Sequence, residues 1–469
     1  MKRSIYFITL LAFLVRLGLG AASATLLPRI GYETKPQQAG YLFFDAYRRD
    51  SQAWELAQSS KPLRRAFDEK YATDQYGGLL WLSAFIYRYI PMEKHQPMLV
   101  IGLGALVGAL GTMFVFFATK RLSKDSTALF AALIYAFFPE SILLGASQMR
   151  EPFLMTFIAM AFFGLVEYHA TQKRIYWGWL ALSTAGLYFI SPGFVLLTLA
   201  VLAGWEYFSD HKKNTPIIPW QILAVGLLIF VLALLALTAS WDSLVASKGG
   251  GILGIIGGWA RGTARWNAHI LERSSGIVQV LFQSMPPVLA LPFVTIYGVL
   301  QPVLPAVILE PGNSFWQVLG TLRALGWYLL LPVIAYAPFA TGVFTSGIRR
   351  RQWLWLSAMV WGWILVAALR GGGDQWDNPR YRIIVMCWIS ILAALVISRI
   401  QAGPTRWFWR ICMVETIILL VFGHWYVWRY LGIGFNLGIR NTIGIAVGLS
   451  IFGILADWLW QRFKPTSRL

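Results

Sequence analysis

Charge and thiols are scarce in this chain. Of its 469 residues, 13% are charged, against roughly 25% in an ordinary soluble domain. Acids are the scarcer sign, with 21 Asp and Glu facing 40 Lys and Arg. The only two cysteines, Cys387 and Cys412, both lie inside apolar runs, so neither a disulfide framework nor a thiolate metal site is implied. His95, His169, His211, His269 and His424 are scattered, and no HExxH, Cys/His cluster or calcium-loop pattern occurs. The glycine-rich stretch "GLGALVGALG" sits within an apolar run, so no phosphate-cradling loop and no nucleotide fold is indicated. Few acids fall deep in a run, which tells against an ion-coupled transporter built on a buried carboxylate relay.

What is abundant is apolar surface. The composition is 57% hydrophobic with 23 Trp, and the mean hydropathy is +0.58. A soluble fold has nowhere to put so much of it, while many runs approach the ~20 residues that cross a bilayer. The expected fold is therefore an all-α polytopic membrane protein, read as one integral membrane domain over 1–469. Candidate spans cover 5–26, 97–119, 126–145, 152–168, 175–190, 193–208, 219–239, 324–346, 352–369, 382–400, 407–428 and 437–460, about twelve in all. The apolar opening after Lys2 and Arg3 reads as an uncleaved first helix, given the number of spans that follow.

The net charge of +19 could suggest nucleic acid, but its placement excludes that partner. With Met1 in the cytoplasm, alternate loops are strongly basic: Lys120, Arg121 and Lys124; Lys173 and Arg174; Lys212 and Lys213; Arg349 to Arg351; Arg399 and Arg406; and the tail. This is the positive-inside pattern. It puts both termini in the cytoplasm of a cell's inner (plasma) membrane and most acids on the opposite face. The stretch 285–308 is apolar but broken by Pro286, Pro287, Pro292, Pro302 and Pro305, and reads as a kinked re-entrant or juxtamembrane element.

Any chemistry then belongs to the outer segments, 27–96, 240–323 and 370–381. Long structureless loops are uncommon, so the first two are expected to hold interfacial helices. "DAYRRDSQAWELAQ" places Tyr47, Asp50 and Trp54 at spacings of three and four, one face of a helix. "QYGGLLWLSAFIYRYI" reads as a second interfacial helix or a short span. Asp50 could act as a general base beside aromatics that offer a flat face to a sugar ring. The plainer alternative is an acid that starts or solvates a helix. Asp45, Asp68 and Asp74 are rivals, Asp74 foremost because "TDQYGG" precedes a helix. Arg150-Glu151-Pro152 opens a span: Glu151 suits the positive end of the helix dipole and Pro152 the first turn. "RGGGDQWDNPRYR" sets Arg370, Arg380 and Arg382 at an outer boundary, where positive-inside logic disfavours them unless something anionic is present. A planar guanidinium matches phosphate with two parallel hydrogen bonds; pairing with ordinary lipid headgroups is the alternative. "WARGTARWNAHILER", with Arg265, reads as an interfacial helix. A carboxylate pair such as Asp50 with Asp74 or Glu151 could hold Mg²⁺ or Mn²⁺, though no residue pattern demands a metal or any other cofactor.

Together these features resemble the GT-C superfamily of membrane glycosyltransferases, in particular the bacterial branch of protein mannosyltransferases and aminoarabinose transferases. The likeness spans about residues 1–400. It rests on a first span, a long outer loop with "DSQAW", paired spans with proline and acid at their outer ends, and a late "RYR" at a span entrance. The resemblance implies a GT-C-like helix bundle whose partners are a polyprenyl-phosphate-linked sugar, an extracytoplasmic acceptor and membrane lipids. It also implies roles. Asp50 looks like the first-loop catalytic aspartate, and Glu151 with Arg150 like the acid that shapes the site. Arg380 and Arg382 around Tyr381 look like the basic motif at the carrier phosphate. Beside these, Tyr47 and Trp54 flanking Asp50, with Asp74 and Arg265 in the outer segments, are the candidate substrate-lining residues read from the sequence itself. Trp54 stands where the family more often has tyrosine, Gly77-Gly78 where it commonly has proline. The late histidine of some protein mannosyltransferases is missing from "DNPRYR", which argues against protein as the acceptor. A ligase for polyprenyl-diphosphate glycans would share this layout. A lipid or glycan transporter, or a non-catalytic scaffold, is the other alternative.

Overall fold

The structure is a computed structural model, and it describes residues 2–68, 71, 76–90, 93–209, 262–264, 266–267, 279, 286, 289–340, 347–403 and 405–463. The expected span 219–239, Asp74, Arg265 and most of the "WARGTARWNAHILER" stretch lie outside the described residues. Every regular element among those described is helical. Besides two 3-10 turns, Leu63–Phe67 and Ile383–Val385, they are in chain order α1 (Lys2–Ile30), α2 (Lys35–Gln38), α3 (Phe44–Gln58), α4 (Gly78–Tyr89), α5 (Met98–Leu122), α6 (Asp125–Phe137), α7 (Pro139–Gly145), α8 (Glu151–Thr171), α9 (Ile175–Ile190), α10 (Gly193–Tyr207), α11 (Ala290–Val299), α12 (Leu304–Leu309), α13 (Ser314–Tyr336), α14 (Gly347–Gly371), α15 (Asp377–Arg382), α16 (Met386–Ala402), α17 (Arg406–Leu431) and α18 (Gly438–Phe463). The protein is an all-α, multi-pass membrane helix bundle.

The span count is lower than the sequence suggests. Among the described residues, 8 helices are long and apolar enough to cross a membrane, or up to 9 if α6 and α7, bent by 52°, form one broken span. The stretches 175–190 and 193–208 are helical, but the Ser191-Pro192 break leaves α9 with 16 residues and α10 with 15. At 1.5 Å per residue each reaches only about 24 Å, short of the ~30 Å hydrocarbon core. The span expected at 324–346 begins ten residues earlier because the Asn313 side chain caps α13, accepting from Phe315 N at 2.9 Å. The proline-broken stretch 285–308 holds two short helices, α11 and α12.

The chain forms two compact units, one comprising Met1–Ile217, Thr341–Trp363 and Pro379–Ser398, the other Ile218–Ala340, Ile364–Asn378 and Arg399–Leu469. In the first, α1, α5, α6 and α8 pack through small residues. Ala105, Ala109, Ala118, Ala128, Ala131, Ala132 and Ala136 are fully buried, as expected where membrane helices approach closely. Gly111 makes room there for the buried Tyr135, whose hydroxyl would lie 2.1 Å from a Cβ at that position. In the second unit, Trp327 and Tyr328 of α13 donate to the end carbonyls Val299 and Leu300 at 2.8 and 3.0 Å. Its last two helices are tied by Arg410 and Asp457, 2.7 Å apart, and otherwise leave apolar side chains such as Leu420, Phe452 and Trp460 exposed, the surface a lipid-facing hairpin presents.

Candidate functional site

The site is built on α3. Its buried positions are Ala46, Arg49, Asp50, Ala53, Leu56 and Ala57, the three-and-four spacing of one helix face. Alanines on that face let α4 come close, and Leu80, Ala84 and Tyr87 pack against it with Trp54 and Trp81. Two glycines start α4. Gly77 takes φ +77, and a Cβ on it would lie 2.3 Å from the Ala66 carbonyl oxygen; one on Gly78 would lie 2.0 Å from that of Phe189. Glycine is thus the residue that this turn and close approach require. The far end of α4 is fixed by Arg88, which donates to the carbonyls of Leu56, Ala57 and Ser59 at 2.6, 3.2 and 2.9 Å. A cation on those last-turn carbonyls of α3 satisfies acceptors that have no intrahelical partner.

This scaffold aims Tyr87 at Asp50. The Asp50 carboxylate is fully buried. Its Oδ1 accepts from the Tyr87 hydroxyl and its Oδ2 from the Tyr41 hydroxyl, each at 2.5 Å. His95 Nε2 lies 2.8 Å from Oδ2, off the line of a straight hydrogen bond. Burial in the first place, and the Asp50 charge in the second, push the Tyr41 and Tyr87 phenols far above their ordinary value. Both therefore remain donors throughout the working pH range. His95 stacks on Trp54, with ring centroids 4.9 Å apart and 25° between planes, and meets the edge of Tyr87 at 5.1 Å. Gln148 reaches into the group, donating to Pro97 O at 3.0 Å and towards the Tyr87 hydroxyl at 3.5 Å. Arg49 in turn donates to the Gln148 carbonyl at 2.8 Å.

The second group is ionic. Arg380, buried on α15, sets Nε 3.1 Å from Glu151 Oε1 and Nη1 3.1 Å from Asp45 Oδ2. Glu151 is fully buried at the first position of α8, before Pro152. Asp45 lies in the first turn of α3, where the helix dipole favours an acid, and keeps a third of its side chain exposed. Burial alone would raise its carboxyl, but Arg380 foremost, with Arg49 and Arg48, holds it below the usual carboxylate range. Residues distant in sequence thus meet where α3, the turn before α8 and α15 come together.

Of the residues singled out in the sequence, Glu151 and Arg380 are in direct ionic contact. Asp50 is surrounded by residues the sequence reading passed over: Tyr41, Tyr87, His95, with Gln148 and Arg49 behind them. Tyr47 is half-buried and stands edge-on to Tyr41 at 5.3 Å, while one face of Trp54 is covered by His95. Arg150 and Arg382 are buried. The Tyr381 ring lies 5.1 Å from the Arg380 guanidinium, and its carbonyl accepts from Trp363 Nε1 at 2.9 Å. Asp68 pairs with Arg65 on the surface. Asp74 and Arg265 lie outside the described residues. Among the described residues, the donors Asp50 and Glu151 do not fit a divalent cation. Phenols hold both oxygens of Asp50, Glu151 faces a guanidinium, and among the described residues no three His, Cys, Asp or Glu converge. A signal for the missed residues exists in α4, where Leu80, Ala84 and Tyr87 continue one helical stripe and place a phenol on its buried face.

Residues 72–236 match the family model for dolichyl-phosphate-mannose-protein mannosyltransferase. The match takes in α4, Tyr87, His95, Gln148 and Glu151, and leaves out Asp45, Asp50 and Arg380. Among solved structures, the chain is similar to the archaeal oligosaccharyltransferase AglB from Archaeoglobus fulgidus, in complex with an inhibitory peptide and a dolichol-phosphate. The identity is 12% and the TM-score 0.42, over 96% of this chain and 56% of that one. The chain therefore spans little more than half the length of that protein. The family match over residues 72–236 agrees with the resemblance read from the sequence: that part of the chain is GT-C-glycosyltransferase-like, related to the dolichyl-phosphate-mannose-protein mannosyltransferases.

Proposed function

We propose that this chain is an inverting glycosyltransferase of a bacterial plasma membrane. It would move a sugar from a polyprenyl-phosphate carrier to a lipid, glycan or protein acceptor on the extracytoplasmic face, with both termini in the cytoplasm. The observation that carries this reading is the buried Arg380 held between Glu151 and Asp45, on the same α3 that bears the buried Asp50. A monophosphate-linked sugar brings its own leaving group, so the chemistry asks for two things. A cation must take up charge on the departing phosphate, and a base must relieve the attacking hydroxyl of its proton.

Arg380 supplies the first. Its ion pair with Glu151 offsets the cost of burying the guanidinium, while Asp45, a third exposed, accepts from it a hydrogen bond that a phosphate can take over. Arg382 and Arg150 add positive charge on neighbouring turns. The second role falls to a base built on Asp50, whose two oxygens accept hydrogen bonds from the Tyr41 and Tyr87 phenols. Attack from the face opposite the phosphate inverts the anomeric centre in a single displacement.

The test uses purified protein in lipid nanodiscs with a panel of polyprenyl-monophosphate hexoses and, in parallel, polyprenyl-diphosphate glycans. Cleavage or transfer is expected from the monophosphate donors, and Asp50→Asn should lower it about 10²–10⁴-fold, the usual contribution of a general base. Turnover confined to diphosphate donors would make the protein a ligase, and near-normal activity of D50N would remove Asp50 from the mechanism.

A further inference from the structure

The Asp50 carboxylate is sealed in. It has no exposed surface, and phenols occupy both oxygens. His95 is the member of the group that reaches outward, with 27% of its side chain exposed. Its Nε2 is turned inward to Asp50 Oδ2 at 2.8 Å, its ring is sandwiched by the Trp54 face and the Tyr87 edge, and no described residue bonds its Nδ1.

We propose that His95, rather than Asp50, is the catalytic residue that takes the proton from the acceptor hydroxyl, with Asp50 as the positioning residue behind it. This rests on the transferase reading above. A neutral imidazole whose inner N–H faces a buried carboxylate keeps the lone pair of its outer nitrogen for the substrate, and the carboxylate stabilises the imidazolium that forms. The small rotation that aligns Nε2–H with Oδ2 is the kind of tightening that accompanies substrate binding. In the step itself, the acceptor oxygen forms a bond to the anomeric carbon and its proton passes to His95 Nδ1. The bond from the anomeric carbon to the phosphate oxygen breaks, and its electron pair leaves with the polyprenyl phosphate. The imidazolium, paired with Asp50, then returns its proton to water.

The experiment uses the full chain in nanodiscs and whichever polyprenyl-monophosphate hexose the wild type cleaves, with water or sodium azide as the acceptor. Azide needs no deprotonation. His95→Gln keeps an amide N–H for Asp50 but has no base. It should cleave the donor about 10²–10⁴-fold more slowly in water, yet form the glycosyl azide at close to the wild-type rate. His95→Asn carries the same expectation and serves if H95Q does not accumulate in membranes. The proposal is overturned if H95Q cleaves in water like the wild type, or if it loses both reactions equally, as a packing defect would. Wild-type protein that turns over neither acceptor would instead remove the transferase reading, and this proposal with it.

Discussion

Asp45 and Asp50 sit less than two turns apart on α3, and the fold holds them in opposite ways. Asp45 is bound by arginines, keeps a third of its side chain in contact with solvent, and shares Arg380 with Glu151. Asp50 is fully buried and is met by hydroxyls and an imidazole. Guanidinium partners stabilise a carboxylate but lower its basicity. Neutral donors satisfy its lone pairs and leave its negative charge to act on whatever approaches. On the proposed mechanism, one half of the helix would order a cation for a phosphate and the other would support a base. Composition could not separate the two acids; their neighbours do.

The ionic half breaks hardest. Arg380→Met takes from the fully buried Glu151 its partner at 3.1 Å, and removing one partner of a buried pair typically costs about 3–5 kcal/mol. The melting temperature in detergent should fall steeply and donor cleavage should vanish. Arg380→Lys should recover much of the stability but little of the activity, because an ammonium does not reproduce the two-pronged guanidinium. Equal stability of the two variants would show that the Glu151 pair does not hold this end of α8.

The neutral half should break more gently. Tyr87→Phe removes one hydroxyl from Asp50 and keeps the ring in its packing against Trp54 and Ala84. A hydrogen bond to a charged group contributes about 1.5–3 kcal/mol, so the melting temperature should drop by less than in R380M. Tyr41→Phe should cost a similar amount through the other oxygen. If both phenylalanine variants melt like the wild type, Asp50 is not held by these phenols.

How much of this could be read from the sequence follows from which forces act locally. Long apolar runs such as 97–119 and 152–168 became α5 and α8 because hydropathy over a span reports directly on burial in lipid. The pair 175–190 and 193–208 misled because their composition suits a membrane while Ser191-Pro192 cuts both below spanning length, a question of geometry that hydropathy averages away. Asp50 stood out by its spacing with Tyr47 and Trp54 on one helix face, Glu151 and Arg380 as charges at the entrances of apolar segments. Tyr41, Tyr87 and His95 did not, because a tyrosine in an aromatic-rich loop and a lone histidine carry no local signature. Their importance comes from contacts such as Tyr87 to Asp50, 37 residues apart, which only the packing of α4 on α3 creates. The glycine pair 77–78 was legible as a departure from the family pattern, and the structure supplies its reason in the left-handed turn and the close approach to Phe189.

The smallest effect belongs to Asp45 and concerns pH. Its carboxyl titrates below the usual value because Arg380 and its neighbours outweigh its partial burial. A carboxyl whose folded pKa is depressed adds stability that is fully present above its unfolded pKa, about 3.9, and that is lost as pH falls through the lower folded value. With a third of the side chain exposed, solvent screening keeps this contribution within about 1 kcal/mol. Asp45→Asn should therefore melt slightly below the wild type by a constant margin from pH 5 to 8. That margin should begin to shrink below about pH 4, as the unfolded chain takes up the proton, and vanish only once the folded carboxyl is protonated as well. A margin that grows on acidification would mean that another acid on α3 carries the ionic partnership with Arg380.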